Sequence, residues 1–316
     1  MSNQYKINEQ VSAIPLVAVC LAAFNGMNWL PEQLSSILAQ KDVDVIVFIS
    51  VDRSSDNTEV WVDKIALDEP RIVVLPHGEK FGGAARNFFR LLRDIDFSKF
   101  KYVSFADQDD IWLPEKLIKA HKLLLATGAA AYSSNVLAFW ASGRTLLIKK
   151  SQPQQRWDFL FEAAGPGCTY VMKRELACAI QDFLRSRWND MQDVGLHDWF
   201  SYAYARSNGY RWVIDEYPGM LYRQHEKNQF GVNSGWRAYF HRAQKVLNGW
   251  GLNQSTLIAN LLGLANDPFV KSWSGESRLG FLWLGLHAGQ CRRRMRDQIL
   301  FGLSCIALCM LGKGRR

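Results

Sequence analysis

Short apolar runs alternate with helical patterns through the first 125 residues of the chain. The runs predict four β-strands, at 16–23, 44–51, 71–75 and 102–106, because they are short, apolar and include β-branched residues, and polar turns follow most of them. Helical spacing separates the runs, at 30–39, 59–66 and from about 83 to 92. Alternation of this kind is typical of a parallel sheet wrapped by helices, so we predict an α/β fold.

Beyond about residue 130 the pattern becomes mixed. It predicts strands at 130–136, 168–172, 211–214 and 220–224, and helices at 174–185 and from His197 onward. The segment after about residue 236 is rich in aromatic residues and arginines, and its most apolar stretches are 279–286 and 299–312. Neither stretch reaches the roughly 18 residues expected of a membrane-spanning helix.

Composition narrows the class of protein. The 48% hydrophobic content of the 316 residues indicates a globular chain, and six cysteines without a CxxC pair favour free thiols in a reducing cytosol. The formal charge is +8, and residues 291–316 carry a net +6 from seven Lys or Arg and one Asp. The nearly neutral body disfavours a nucleic-acid binder. We predict a cytoplasmic protein, without a signal peptide, whose tail contacts the inner face of the membrane; a helical cap or a dimer interface remains an alternative.

An acidic cluster follows the strand predicted at 102–106. Asp107, Asp109 and Asp110 lie within four residues, and carboxylates at this density favour a hard divalent cation such as Mg²⁺ or Mn²⁺. Such an ion also suits a diphosphate leaving group. The alternative is a helix N-cap at Asp110, shortly before Pro114.

Four motifs occur in order along the chain: LAAFNG, SVDRSSDNT, FGGAARNF and FADQDDIWLPEKL. They resemble those of family 2 glycosyltransferases, and DQDDIW with the later YRQH is similar to the branch of bacterial rhamnosyltransferases that builds O-antigens. The resemblance implies a GT-A fold, with a Rossmann-like, mostly parallel sheet flanked by helices and a helical C-terminal extension. It implies a catalytic domain at 1–232, with a nucleotide-sugar half at about 14–125 and an acceptor half at about 126–232. The remaining 233–316 would form the helical, membrane-associating region.

The same resemblance implies roles for the first motifs. Asp107 and Asp109 match the DXD element that binds the metal and the donor, with Asp110 in support. Asp52 falls in the turn that contacts the nucleotide base in the family, although Val51 and Arg53 replace an acid and a glycine of that turn. Asp52 could instead cap its own turn.

Two residue pairs match donor-binding positions of the family. Phe24 and Asn25 correspond to a Tyr-Asn pair, and Arg86 and Asn87 correspond to an Arg/Lys-Asn pair, which implies a cation and amides near the donor. A packing role for Phe24 is the alternative.

Inverting glycosyl transfer needs a base that accepts the proton of the acceptor hydroxyl, and a carboxylate suits that role. Asp198, in the sequence Gly-Leu-His-Asp-Trp, resembles the family's catalytic carboxylate; an N-cap is the alternative. The resemblance also implies that Arg223 and His225 contact the diphosphate or the metal, and we place Arg223 with the donor and His225 with the metal.

Together these features predict an inverting, metal-dependent glycosyltransferase. The resemblance suggests dTDP-rhamnose as its donor and a lipid-linked oligosaccharide at the inner leaflet as its acceptor, in cell-surface polysaccharide synthesis. A nucleotidyltransferase and a non-catalytic membrane-associated assembly subunit remain alternatives. The sequence is also compatible with an oligomer.

Overall fold

A computed structural model describes residues 14–78, 80–225, 249–275 and 277–311. The predicted boundary between 232 and 233 lies outside these residues. So does Asn228, which the sequence places beside the motif of Arg223 and His225.

A seven-stranded sheet forms the centre of the fold, in the order β10-β6-β9-β4-β1-β2-β3. All its neighbouring pairs are parallel except the two that involve β9, which runs antiparallel to β4 and β6. The predicted mostly parallel sheet is therefore confirmed. Its strands are β1 (Leu16–Ala23), β2 (Asp44–Val51), β3 (Ile72–Val74), β4 (Tyr102–Asp107), β6 (Ala131–Ser134), β9 (Val171–Lys173) and β10 (Trp212–Asp215).

Helices cover both faces of this sheet. They are α1 (Leu30–Leu38), α2 (Thr58–Asp68), α3 (Ala84–Asp94), α4 (Lys116–Thr127), α5 (Arg174–Ser186) and α6 (His197–Ser207). Strand β1 shows how the two layers form: Val17, Val19 and Leu21 face one hydrophobic core, whereas Ala18 and Cys20 face the other. Successive side chains of a strand point to opposite faces, so one buried strand contributes to both cores.

A second, four-stranded sheet, in the order β5-β11-β7-β8, was not predicted as a separate element. Its strands are β5 (Ile111–Trp112), β7 (Val136–Trp140), β8 (Thr145–Ile148) and β11 (Met220–Gln224). The single strand predicted at 130–136 is wrong, because Asn135 divides it between the two sheets. The Asn135 side chain accepts from the backbone N–H groups of Lys150 and Ser151 and donates to the carbonyl of Glu216. These bonds satisfy backbone groups where the chain changes sheets.

The strand predicted at 168–172 is also displaced. Residues Gly167–Thr169 form a 3₁₀ turn, and β9 begins only at Val171. The Thr169 hydroxyl donates to the carbonyl of Pro166, which stabilises the turn locally in place of strand pairing.

The C-terminal helices share the core that α3, α5 and α6 face. Trp157 stacks on Phe269 at 4.6 Å, and Phe161 packs against Trp273. The expected helical C-terminal extension is thus confirmed as an element. It comprises α7 (Trp250–Leu261), α8 (Pro268–Ser274), α9 (Arg278–Leu286), α10 (Ala288–Cys291) and α11 (Met295–Leu311). Within the described ranges, none of the helices combines the length and apolarity needed to cross a bilayer.

Two arginines of the basic tail point into the protein rather than outward. Arg293 is buried and forms ion pairs with Asp158 and Glu162, and Arg292 donates to the carbonyl of Phe161. These two side chains therefore bond to the catalytic domain and do not face outward. The membrane contact expected for the tail as a whole stays a prediction.

Candidate active site

The loops after β1 and β2 are joined by hydrogen bonds at the carboxyl edge of the parallel strands. Asn25, at a left-handed φ of 46°, accepts through Oδ1 from the N–H of Ser55, and its own N–H donates to the Ser54 hydroxyl. The N–H of Gly26 donates to the hydroxyl of Thr58. Open α/β sheets bind ligands at this edge. Asn25 thus holds together the two loops at the predicted donor site. Direct contact between Asn25 and a donor stays a prediction.

Gln108, the middle residue of the Asp-Gln-Asp sequence at 107–109, links this segment to the end of β1. Its amide accepts from the N–H of Phe24 and donates to the carbonyl of Phe24, both at 2.8 Å. A Cβ on Gly26 would lie 2.4 Å from Gln108 Oε1, so only glycine leaves room for this amide. The Phe24 ring itself is 53% exposed, which contradicts the alternative of a core-packing role.

Asp107 and Asp109 are the predicted metal ligands of the acidic cluster. Burial, together with the charges of Asp109 and then Asp198, raises the pKa of Asp107 to about 7. Burial is the main cause of this shift, and the two neighbouring carboxylates add negative charge around the buried acid. A hard divalent cation would supply that charge, so the residues fit a Mg²⁺ or Mn²⁺ ion.

Asp110 bonds to β11 and does not cap a helix. It is completely buried, and its Oδ1 accepts from the N–H of Arg223, whereas α4 begins only at Lys116. Ligand atoms of Asp107, Asp110 and Cys168 lie within 4.8 Å of one another. Burial raises the pKa of Cys168 well above its usual range, so the sulfur stays a thiol and is a poor ligand for a hard cation. The cluster that contains Asp109 is therefore the better candidate metal site.

His225 lies beside Asp109, as the metal prediction requires. Its Nε2 is 2.7 Å from Asp109 Oδ2, and Trp29 stacks on the imidazole with a centroid separation of 4.1 Å. The stacked indole holds the ring against the acidic cluster. Asp109 and His225 together offer a carboxylate oxygen and an imidazole nitrogen to one ion, a donor set that Mn²⁺ tolerates.

Arg223 ties β11 to the same cluster. Its Nε donates to the carbonyl of Asp109 at 2.8 Å, its Nη2 pairs with Glu32, and its guanidinium lies 4.7 Å from the centroid of the Phe139 ring. Arg223 thus positions the loop that carries Asp109. Contact between Arg223 and a donor diphosphate stays a prediction.

Asp52 holds the loop that precedes α3. Its Oδ1 accepts from the N–H of Phe81 and its Oδ2 from the N–H of Gly82, at 2.9 and 2.8 Å. The carboxylate also accepts from the N–H of Arg53, as a turn cap would. The structure thus gives Asp52 a clear local role, and its contact with a nucleotide base stays a prediction.

Arg86 and Asn87 differ in exposure. Asn87 is buried, and its Nδ2 donates to the carbonyls of Ser50 and Ala23, which joins the ends of β1 and β2. Arg86 is exposed, and its Nε donates to the carbonyl of Gln192. Asn87 therefore organises the strand ends that border the cleft, and Arg86 supplies charge at the surface.

Asp198 lies in the first turn of α6, one residue after the start of the helix. The N-cap position belongs to Leu196, and no side chain caps there, so the N-cap alternative for Asp198 is wrong. Burial raises the pKa of Asp198 to about 6. A carboxyl with this pKa is ionised near neutral pH and yet basic enough to accept a proton.

Close packing fixes the position of Asp198. A Cβ on Gly167 would lie 2.7 Å from His197 Nε2 and 3.0 Å from Asp198 Cβ. His197 stacks on Phe88 at 3.8 Å, and burial lowers its pKa to about 3, so its imidazole stays neutral. His197 is thus a packing residue that seats the first turn of α6.

Sequence patterns missed three contributors to the site. Gln108 carried no signal beyond its place in the motif, and Trp29 is one aromatic residue among many. Lys150, just beyond β8, lies close enough for its charge to lower the pKa of Asp198. Only the fold brings Lys150 to α6, so no local pattern could have found it.

Comparison with known proteins gives one family. Glycosyl transferase family 2 matches residues 18–176. The chain is 45% identical over 287 residues to the dTDP-rhamnosyl transferase RfbG of Shigella flexneri, covering 90% of this chain and 99% of that protein. It is 26% identical to the Escherichia coli UDP-Glc:alpha-D-GlcNAc-diphosphoundecaprenol beta-1,3-glucosyltransferase WfgD, over 51% of this chain and 61% of that protein.

Solved structures resemble the fold. TarS 1-349 of S. aureus, in complex with UDP, superposes with a TM-score of 0.54 at 14% identity, over 93% of this chain and 88% of that one. The mannosyltransferase PcManGT of Pyrobaculum calidifontis, in complex with GDP-Man and Mn2+, gives 0.51 at 17% identity, over 95% and 87%. These neighbours have the GT-A fold, so the expected fold class is confirmed.

Proposed function

Because the chain belongs to glycosyl transferase family 2 and is a glycosyltransferase, we propose that it transfers rhamnose from dTDP-rhamnose with inversion at the sugar carbon. The printed activity of RfbG, at 45% identity over nearly its whole length, supports this donor. Family membership also removes the grounds for the two alternatives, a nucleotidyltransferase and a non-catalytic assembly subunit.

One observation carries the proposed mechanism: the fold brings Asp198 into the electrostatic range of Asp107. The two residues are 91 positions apart in the sequence, yet the charge of Asp198 contributes to the raised pKa of Asp107. The proposal therefore places the base for the acceptor and the acidic site for the donor close together. This is the arrangement that a single displacement between two bound substrates needs.

In this proposal each residue has a separate task. Asp198 accepts the proton of the acceptor hydroxyl while that oxygen forms its bond to the sugar carbon and the bond from this carbon to the diphosphate breaks. Asp107, Asp109 and His225 would hold the divalent cation, which when bound would stabilise the negative charge of the departing diphosphate. Phe24, Asn25, Asp52, Arg86, Asn87 and Arg223 line or shape the donor side.

We also propose a lipid-linked saccharide as the acceptor, in cell-surface polysaccharide synthesis. The name of WfgD includes a diphosphoundecaprenol acceptor, and that protein is related to this chain over half of its length. An acceptor of this kind would place the reaction at the inner face of the cell membrane. The domain limits expected from the sequence, 1–232 and 233–316, remain part of the proposal.

The first experiment measures binding and turnover of dTDP-rhamnose, dTDP-glucose and UDP-glucose, with Mg²⁺, with Mn²⁺ and with EDTA. We expect metal-dependent selection of dTDP-rhamnose. Selection of another sugar nucleotide would refute the donor, and full turnover in EDTA would refute the metal.

Two variants assign the residues. Asp109→Ala should abolish metal-dependent donor turnover, whereas Asp68→Ala, an exposed carboxylate at the end of α2, should not change it. Asp198→Asn should keep donor binding but lower transfer by about 10²-fold or more. Asp193→Asn, exposed and five residues earlier, is its control. Unchanged transfer in Asp198→Asn would refute the proposed base.

A further inference from the structure

Helices α9 and α11 both expose many aliphatic side chains. On α11 most of these residues recur at intervals of three or four, which places them on one side of the helix, while Cys305 and Leu308 on the opposite side are buried. We call this surface the aliphatic plate. It consists of Leu279, Leu282, Leu286, Met295, Ile299, Leu300, Leu303, Ile306, Met310 and Leu311, each between 39% and 78% exposed.

A close contact between two glycines holds the helices of the plate side by side. A Cβ on Gly285 would lie 3.3 Å from the carbonyl oxygen of Gly302 and 3.2 Å from Cys305 Cβ. A Cβ on Gly302 would lie 3.4 Å from the carbonyl oxygen of Gly285. Small residues at the contact allow two helices to approach closely, so α9 and α11 present their exposed side chains as one surface.

The plate is also fixed to the catalytic domain. Arg293 lies between α10 and α11, and its Nη1 is 3.2 Å from Asp158, which is fully buried. Asp158 accepts in turn from the Tyr202 hydroxyl and from Arg206, both on α6. The plate and the helix that carries Asp198 are therefore joined through one buried carboxylate.

The charges around the plate are positive. Arg278 is exposed at the start of α9, and Arg294 and Arg296 are exposed at the start of α11. Among the described residues of the two helices, Asp297 is the one acidic side chain, and it pairs with Arg296. The sequence after α11 adds Lys313, Arg315 and Arg316.

We propose that the aliphatic plate docks onto an anionic lipid bilayer, with its aliphatic side chains inserted among the acyl chains and the flanking arginines on the headgroups. Apolar helix faces bordered by cations bind at such interfaces. A second copy of the chain is a poorer occupant. In a twofold dimer the same surface contacts itself, which would bring the arginines of both copies to one rim. This docking proposal concerns a surface outside the proposed reaction site. It rests on the proposed function only in that a lipid-linked acceptor would require the enzyme to work at a membrane.

Co-sedimentation with phosphatidylcholine vesicles, with and without phosphatidylglycerol, tests the plate. The full chain should bind the vesicles that contain phosphatidylglycerol. Leu286→Asp combined with Leu303→Asp should lower the vesicle-bound to free ratio by about tenfold or more. The control is Leu67→Asp, an exposed leucine of α2 at 86% exposure, which should bind as the unaltered protein does. Arg294→Glu with Arg296→Glu should weaken binding to the anionic vesicles.

Several results would overturn the proposal. The first is that the double aspartate variant binds the anionic vesicles as well as the unaltered protein does. The second is that Leu67→Asp loses as much vesicle binding as the double variant, and the third is that the unaltered protein does not bind the vesicles. Light scattering that shows a dimer split by the double substitution would assign the plate to a second copy. A marked fall of the Tm of the double aspartate variant would mean that another part of the chain covers the plate. Binding of dTDP-rhamnose in solution, measured in parallel, should not change in the double variant, so failure of the plate and failure of the proposed reaction are distinguishable.

Discussion

Arg293→Met should destabilise the protein strongly, although the residue belongs to a cluster of surface-like arginines in the sequence. The Arg293 side chain is 1% exposed and contacts Asp158 at 3.2 Å, Glu162 at 3.5 Å and the carbonyl of Ala163 at 2.6 Å. Removing one partner of a buried ion pair typically costs about 3–5 kcal/mol. We expect the low end, about 3 kcal/mol, because Arg206 still neutralises Asp158.

The assay is thermal unfolding followed by circular dichroism. About 3 kcal/mol corresponds to a Tm lowered by about 4–5 °C in a chain of this size. Arg294→Met, the exposed neighbour, is the matched control and should leave the Tm unchanged. Arg293→Lys should give an intermediate Tm, because an ammonium group keeps the charge but cannot reproduce the fork of the guanidinium. Equal Tm values for Arg293→Met and Arg294→Met would refute the assignment of Arg293 as an internal residue.

Three further predictions concern the site. Because the pKa of Asp198 is raised to about 6 and the base must be ionised, transfer should fall about tenfold per pH unit below pH 6 and level off above it; a flat profile from pH 5 to pH 8 would contradict this role. Gly26→Ala should displace Gln108 and lower donor turnover by about tenfold or more, with little change in Tm; unchanged turnover would show that the amide is not needed. Gly167→Ala should displace His197 and Asp198 away from the turn at Gly167, and so lower transfer more than donor binding. Measuring the transfer rate and the donor Kd of this variant tests this, and an equal loss of both would contradict it.

The secondary structure of the first half follows directly from local patterns. The limits predicted for β1 and β2 agree with the structure, because buried strands of a parallel sheet are continuous apolar runs that end in polar turns. The second half followed less well. The polar bend at Asn135 and the turn at Gly167–Thr169 depend on partners far away in the chain, which no local pattern contains.

In the basic tail, local patterns likewise do not tell which charged side chains are buried. Sequence alone counts Arg292, Arg293, Arg294 and Arg296 equally. The structure separates two that bond to the domain from two that are exposed. Arg293 finds Asp158, 135 positions earlier in the chain, only once the 3₁₀ turn at Asp158–Leu160 has packed against α6. The aliphatic surface beside them likewise emerges only when α9 and α11 pack side by side.

For this chain, the sequence by itself determined the α/β class, the family and the order of the chemical motifs, since these reside in residues close together along the chain. Tertiary structure decided that Asp198 lies within electrostatic range of Asp107 and that Asp109 contacts His225. It also decided that Gln108 bonds to the backbone just after β1 and that Lys150 lies near Asp198. The physical reason is range: propensity and periodicity act within a few residues, whereas electrostatic and packing contacts act through space between segments that only the fold brings together.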